Sequence, residues 1–223
     1  MGLDHTKARE VFDQKFDALV HLLSNANAEW HTEHVSIPKL TIMPPSYQKP
    51  TPPLWIAALR PEAAYHLGRR GINVQASTLR EPVEKAREVI NAFRTGANEW
   101  TGPVRPKLSF FRWVLVTDDE TVKRNTLQIG LENEERFHNL YTTDGTIDGG
   151  VVTRVPTEHT LQSVDDVTII GTPEQCIEKL KIYEELGVDD LNIRMNFGAP
   201  HKVVMRSMEL FQKSVLPEFC APR

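Results

Sequence analysis

GTPEQCIEKLKIYEELGVDDLNIRMNFGAP, residues 171–200, spells a turn, a helix, a second turn and a strand in one short passage. Thr172 offers a capping hydroxyl, Pro173 suits the first helical position, and Gln175 stands three residues after the cap, as a capping box requires. The spacing predicts a helix from 173 with Cys176, Ile177, Leu180 and Tyr183 on one face. It stops near 186, where Gly187 supplies a left-handed closing residue. After Val188 the period shortens to two. Leu191, Ile193 and Met195 alternate with Asn192, Arg194 and Asn196, so 191–195 reads as a strand with one apolar and one polar side.

The same grammar recurs upstream. Residues 5–23 read as an amphipathic helix, capped by Asp4, with Val11, Phe12, Phe16, Leu19 and Leu23 on its apolar face. From 25 to 53 the text becomes polar and Pro-rich, with short alternating runs at His34–Ile37 and Leu40–Met43 that suggest a small hairpin. LWIAA (54–58) and INVQA (72–76) read as strands, each followed by a helix, the first from Pro61 to Arg69 and the second from Glu81 to Arg94. LSFFRWVLV (108–116) is a third strand, leading into a charged helix from Glu120. Residues 142–166 read as a polar excursion, and a last helix spans Pro200 to Val215.

Strands separated by helices imply parallel pairing and right-handed crossovers, hence an α/β fold. No GxGxxG or GxxxxGK[ST] follows any strand, which argues against a Rossmann-type sheet. The polar alternation of the last strand suits a β/α barrel, whose strands point alternately to the helix layer and the lumen. Four strands are too few for a closed barrel, which typically has eight in ~250 residues.

With 40% hydrophobic and 25% charged residues, the 223-residue chain is expected to be a single globular domain with a substantial core. A formal net charge of −4 and the lack of a Lys/Arg-rich run exclude a nucleic-acid surface. The sequence has no apolar run long enough to span a membrane and no secretory pattern, so a cytoplasmic location is expected. Cys176 and Cys220 form neither a disulfide framework nor a zinc spacing, and read as small apolar residues. His31 and His34 lie three apart without a third partner at ligand spacing, and HExxH is absent, so no metal is expected.

The order of phrases resembles the C-terminal part of the bacterial-luciferase-like, flavin-dependent monooxygenases. The resemblance rests on helix 5–23, the lead PPSYQKPTPPLWIAA (44–58), LRPEAAYHLGRRG (59–71), the passage at 171–200 and RSMELFQKSVLPEF (206–219). It implies a partial barrel carrying the family's strands five to eight, with excursions at 25–53 and 142–166. It also implies FMN, reduced by a separate reductase, acting with O2 on a small organic substrate; some relatives use a deazaflavin instead. In the family the flavin phosphate is held partly by the turn after strand five, here Ala57, Ala58, Leu59 and Arg60. Many relatives carry a serine near this turn. The helix N-terminus that follows suits an anion, and Arg60 adds a charge.

A second candidate group lines the expected lumen. Arg112 alternates with Phe111 and Trp113 on the third strand, and Arg194 and Asn196, followed by Phe197 and Gly198, occupy the C-terminal end of the last, where barrel active sites sit. An inward Arg112 or Arg194 implies a carboxylate, phosphate or ligand beside it. No catalytic residue is assignable. Two other readings are a noncatalytic barrel fragment that binds flavin weakly or serves assembly, and an unrelated phosphate-binding α/β enzyme. Unpaired strands at 54–58 and 191–195 would favour a homo-oligomer or a complementary chain.

Overall fold

The computed structural model describes residues 5–78, 81–142 and 145–220. They divide into two compact units, one running to Leu54 and the other from Trp55 onward.

In the first unit a 3-10 turn at His5–Lys7 leads into α1 (Ala8–Ser24), which has no side-chain cap; the expected cap, Asp4, lies outside the described residues. β1 (Ala28–His31) and β2 (Ser36–Leu40) then form an antiparallel hairpin. The hairpin is present, but its strands lie earlier than the sequence suggested. Thr32 N–H donates to Val35 C=O at 2.7 Å, so the stretch around His34 is the turn, and pairing begins on either side of it. The His21 and Trp30 rings lie 5.0 Å apart, and His34 N–H donates to Gln14 Oε1 at 3.1 Å, tying helix to hairpin. Ala18 is the residue that α1 buries, while Phe12 and Leu19 remain 43% and 44% exposed.

The second unit runs β3 (Trp55–Ala58), α2 (Pro61–Arg69), β4 (Asn73–Ala76), α3 (Val83–Glu99), β5 (Leu108–Val116) and α4 (Glu120–Thr142). After the two-residue strands β6 (Ile147–Asp148) and β7 (Val151–Val152) come α5 (Leu161–Val167), β8 (Ile169–Gly171), α6 (Pro173–Glu185), β9 (Asp190–Arg194) and α7 (His201–Leu210). A π-helical turn, Phe211–Val215, and α8 (Pro217–Cys220) end the described chain. The four expected strands are all present. β8 was not foreseen: Ile169 and Ile170 stand immediately before the capping box and are fully buried beside Val114 and Leu115.

Strands β3, β4, β5, β8 and β9 form one parallel sheet with β5 at its centre, pairing with β4, β8 and β9. Among the described residues β3 pairs only with β4, and β9 only with β5. The register Ala58↔Ala76, Ala76↔Phe110 and Phe110↔Leu191 fixes the faces, because alternate residues of a strand point to opposite sides. Val74, Ala76, Leu108 and Phe110 lie on the side packed by helices and are at most 1% exposed. Trp55, Ala57, Asp190, Asn192 and Arg194 are exposed on the opposite, open side.

Local chemistry explains how the helices hand over to strands. The capping box of α6 forms as the sequence predicts: Gln175 N–H donates to Thr172 Oγ1 at 3.3 Å, and Thr172 N–H to Gln175 Oε1 at 3.2 Å. At its end Gly187 takes φ 77° and a Schellman closure forms, with Gly187 N–H on Glu184 C=O and Val188 N–H on Tyr183 C=O. The closure of α2 is the same, with Gly71 at φ 71° and bonds to Gly68 and Leu67. Asp189 then pins β9, accepting from Leu108 N–H at 2.7 Å and from Arg94 at 2.9 Å.

Helices α2 and α3 cross in near backbone contact. A Cβ on Gly96 would stand 2.1 Å from Tyr65 C=O, and one on Gly68 would stand 2.6 Å from Phe93 C=O. Asp165 joins α4, α5 and α6 through Lys179 Nζ at 2.6 Å and Lys123 Nζ at 3.1 Å. Burial alone would raise its pKa, but the two ammonium groups hold the carboxyl below the usual aspartate value.

Candidate functional site

The turn after β3 lies at the C-terminal edge of the sheet, where the sequence placed a phosphate cradle. Ala57 faces the open side, Ala58 is buried, and Leu59 and Arg60 are exposed. Arg60 is the N-cap residue of α2 in extended conformation, makes no capping bond, and precedes Pro61 at the first helical position. The leading amides of α2 have no acceptor within the helix, so this end presents N–H groups and the positive end of the helix dipole. Glu62, in the same first turn, sets a negative charge against it.

The structure moves Arg112 out of the expected lumen. Its parity is that of Phe110, so it lies on the helix side under α6 and is 1% exposed. Its Nε donates to the Tyr183 hydroxyl in a very short bond, Nη2 to Thr78 Oγ1 at 2.9 Å, and Nη1 to Phe111 C=O at 3.2 Å. The Phe110 and Tyr183 rings flank the guanidinium carbon at 4.5 and 5.0 Å. Burial lowers its pKa, and the bond to Tyr183 opposes that shift. The expected carboxylate or ligand is therefore replaced by neutral oxygens and aromatic faces. Ser109 was the signal: it is the polar member of the opposite parity and groups with Phe111 and Trp113.

Arg194 does face the open side, beside Trp113 in register, and its Nε donates to Asn196 C=O at 2.8 Å. Asn196 is exposed next to it. Phe197 is not a free pocket wall. It is 4% exposed and stacks on Trp113, with ring centres 4.9 Å apart and planes 6° from parallel, while its carbonyl accepts from Asn133 Nδ2 at 2.9 Å. Gly198 lets Ile129 of α4 approach, since a Cβ there would stand 2.8 Å from Ile129 Cγ2.

Two polar atoms near the C-terminal ends of β4 and β5 were not foreseen. Thr78 shares the helix side with Arg112, so Ser77 falls on the open side, as Trp113 does. Ser77 Oγ and Trp113 Nε1 are both buried and have no hydrogen-bond partner. Lower on the same side, a groove of about 300 Å³ is lined by Trp55, Gln75, Ser109, Asp190 and Asn192. A cavity of about 310 Å³ lies on the helix side among Leu180, Tyr183, Leu191, Ile193, Phe211 and Phe219. It backs the sheet away from the open side, and takes no part in the site.

Cys176 is core: burial pushes its thiol up to about 12, and Sγ rests against the carbonyls of Ile169 and Gly171. His31 does not pair with His34 but bonds Ser36 Oγ at 2.9 Å. His34 Nε2 instead approaches Glu10 Oε1 at 3.7 Å and Glu33 Oε1 at 3.9 Å, and ligand atoms of the three lie within 4.8 Å of one another. Both glutamate side chains are more than half exposed. No helix among the described residues is long and apolar enough to cross a membrane.

A parallel sheet with helices on one side and Gln75, Ser109, Asn192 and Arg194 on the other defines an α/β protein of the β/α-barrel kind. The chain belongs to the luciferase-like monooxygenase family, whose model matches residues 1–190 and so crosses the boundary between the two units. It is 24% identical over 229 residues to the oxygenase component of the flavin-dependent trigonelline monooxygenase of Acinetobacter baylyi, covering 98% of this chain and 62% of that protein. Monooxygenase RslO1 of Streptomyces bottropensis superposes with a TM-score of 0.74 at 17% identity, over 98% of this chain and 64% of the other. The oxygenating constituent of 3,6-diketocamphane monooxygenase of Pseudomonas putida, solved in complex with FMN, gives a TM-score of 0.63 at 16% identity, over 97% and 64%. The chain thus spans under two thirds of the length of these relatives.

Proposed function

We propose that this chain contributes strands five to eight of a luciferase-like barrel and binds FMN as part of an oxygenase that oxidises a small organic substrate. The observation that carries the reading is the exposed Arg60 at an uncapped helix N-terminus, at the C-terminal edge of the parallel sheet. When bound and reduced by a separate reductase, the flavin would supply the oxygen-activating chemistry. Arg60 and the first amides of α2 would hold its phosphate by charge-assisted hydrogen bonds. Arg194, held by Asn196 C=O, would place a fixed positive charge at the mouth of the site. Two orphaned buried atoms on the open side, Ser77 Oγ and Trp113 Nε1, fit a polar bound molecule, because such atoms are rarely left without a partner.

Titration of FMN, followed by quenching of its fluorescence, tests this reading. Wild-type chain is expected to bind FMN more tightly than riboflavin, which lacks the phosphate. Arg60→Ala should erase about tenfold of that preference, while Glu62→Gln should enlarge it. Binding confined to a deazaflavin would replace FMN in the proposal, and equal affinity for FMN and riboflavin would remove Arg60 from it.

The exposed outer edges of β3 and β9, with Phe12 and Leu19 on α1, support assembly with a complementary chain or a second copy. Light scattering of the purified chain is expected to give more than the monomer mass. A monodisperse monomer sinks the self-assembly half of the proposal.

A further inference from the structure

Ser77 and Trp113 stand out from the other polar groups of the sheet. Gln75, Ser109, Asn192 and Arg194 are reached by solvent, but Ser77 Oγ and Trp113 Nε1 are shut off from it and bonded to nothing. A buried donor without an acceptor has lost its water and gained no replacement, an unfavourable state that folded proteins keep rarely. Trp113 is the more deeply buried of the two residues. It is 4% exposed, and its ring stacks face to face on Phe197.

Register places both donors relative to the turn after β3. Ala58 pairs with Ala76, so Ser77 lies one strand away and one residue further along; Ala76 pairs with Phe110, so Trp113 lies two strands away and three residues further. At a strand spacing of ~4.8 Å and a rise of ~3.3 Å per residue, the two Cα positions are roughly 8 Å apart, Ser77 one strand and Trp113 two strands from β3. A molecule anchored by a phosphate at Arg60 would meet Ser77 first and Trp113 second. A phosphate, a short polyol arm and a planar ring bearing carbonyl oxygens follow in that order along FMN.

Resting on the function proposed above, we infer that Ser77 Oγ–H donates to the ribityl arm of the bound flavin and Trp113 Nε1–H to a carbonyl oxygen of its ring. Both are binding residues, and neither moves a proton in the reaction. A structural role predicts the opposite consequence for stability. A donor serving the fold weakens it when removed, whereas a donor waiting for a ligand can be deleted from the empty protein without loss.

The test uses FMN and lumiflavin, which is the ring without the arm, titrated into wild type, Ser77→Ala and Trp113→Phe, together with thermal unfolding of each protein without flavin. Ser77→Ala is expected to weaken FMN about fivefold, leave lumiflavin unchanged, and unfold at the wild-type temperature or above. Trp113→Phe keeps the stack on Phe197 and should weaken both ligands about fivefold. Variants that titrate like wild type overturn the inference while leaving the proposed function standing. A loss of lumiflavin affinity in Ser77→Ala, or a lowered unfolding temperature of that variant, also overturns the role given to Ser77. A wild-type chain that leaves FMN fluorescence untouched overturns the proposed function and this inference together. Should Trp113→Phe fail to fold, Ser77→Ala decides alone.

Discussion

Gly96→Ala is expected to lower the unfolding free energy by about 3 kcal/mol, read as a shift in urea midpoint, although it adds one methyl group. In a solvent-facing helix position the same change is favourable, because alanine has the higher helix propensity. Here the methyl would enter the space of the Tyr65 carbonyl at 2.1 Å and of Arg69 N at 3.0 Å. Both are backbone atoms that no rotamer change can move. The two helices must separate, and the close approach of Gly68 to Phe93 C=O and Ala97 N is lost with them. Thr95→Ala, at the exposed neighbouring position, should change stability by less than ~0.5 kcal/mol. Equal effects at 95 and 96 would refute the interlocked crossing.

Tyr183→Phe is expected to cost about 2 kcal/mol, a large effect for one oxygen. The hydroxyl is the acceptor for Arg112 Nε, and among the described residues no carboxylate shares that charge. Removing it leaves a buried guanidinium with fewer partners and no access to water. Replacing the charge itself should be mild. Arg112→Met fills much of the same volume without a polar group, so the double variant Arg112→Met/Tyr183→Phe is expected to recover most of the loss. Urea unfolding of the wild type, both single variants and the double variant closes the cycle. A Tyr183→Phe protein as stable as wild type would show that the short contact contributes nothing.

The contrast between these residues explains how far the sequence could be read. Strands β3, β4, β5 and β9 were legible because each is an apolar run or a clean alternation bounded by Gly, Pro or Asp. The helix ends at 173 and 187 were legible because capping boxes and Schellman closures are local chemistry, complete within six residues. β8 was not, since three residues cannot show a period, and its burial comes from distant Val114 and Leu115. Arg112 was misplaced because its neighbours Phe111 and Trp113 make the opposite face apolar too, leaving Ser109, three residues away, as the one polar mark of the open side. The orphaned atoms of Ser77 and Trp113 were invisible in principle, for the absence of a partner is a property of the folded surroundings and not of any spacing. The turn at Arg60 was proposed from resemblance and helix-terminus chemistry together; the structure gives its place, exposed at the strand edge.

The short links at Gly71–Ile72 and Gly187–Asp189 leave the chain almost no slack between a closed helix and the next strand. One residue inserted at 188 would turn β9 over, sending Asn192 and Arg194 into the oily layer and Leu191 and Ile193 into water. The stretch from 145 to 160 is tied to α4 through Asn139, which bonds Thr146 and Thr153, and through Arg154, which pairs with Glu132 and Glu135, but it adds no strand to the parallel sheet and has no such parity to keep. Evolution and engineering alike therefore have an adjustable region in that excursion, and a fixed ruler at each glycine.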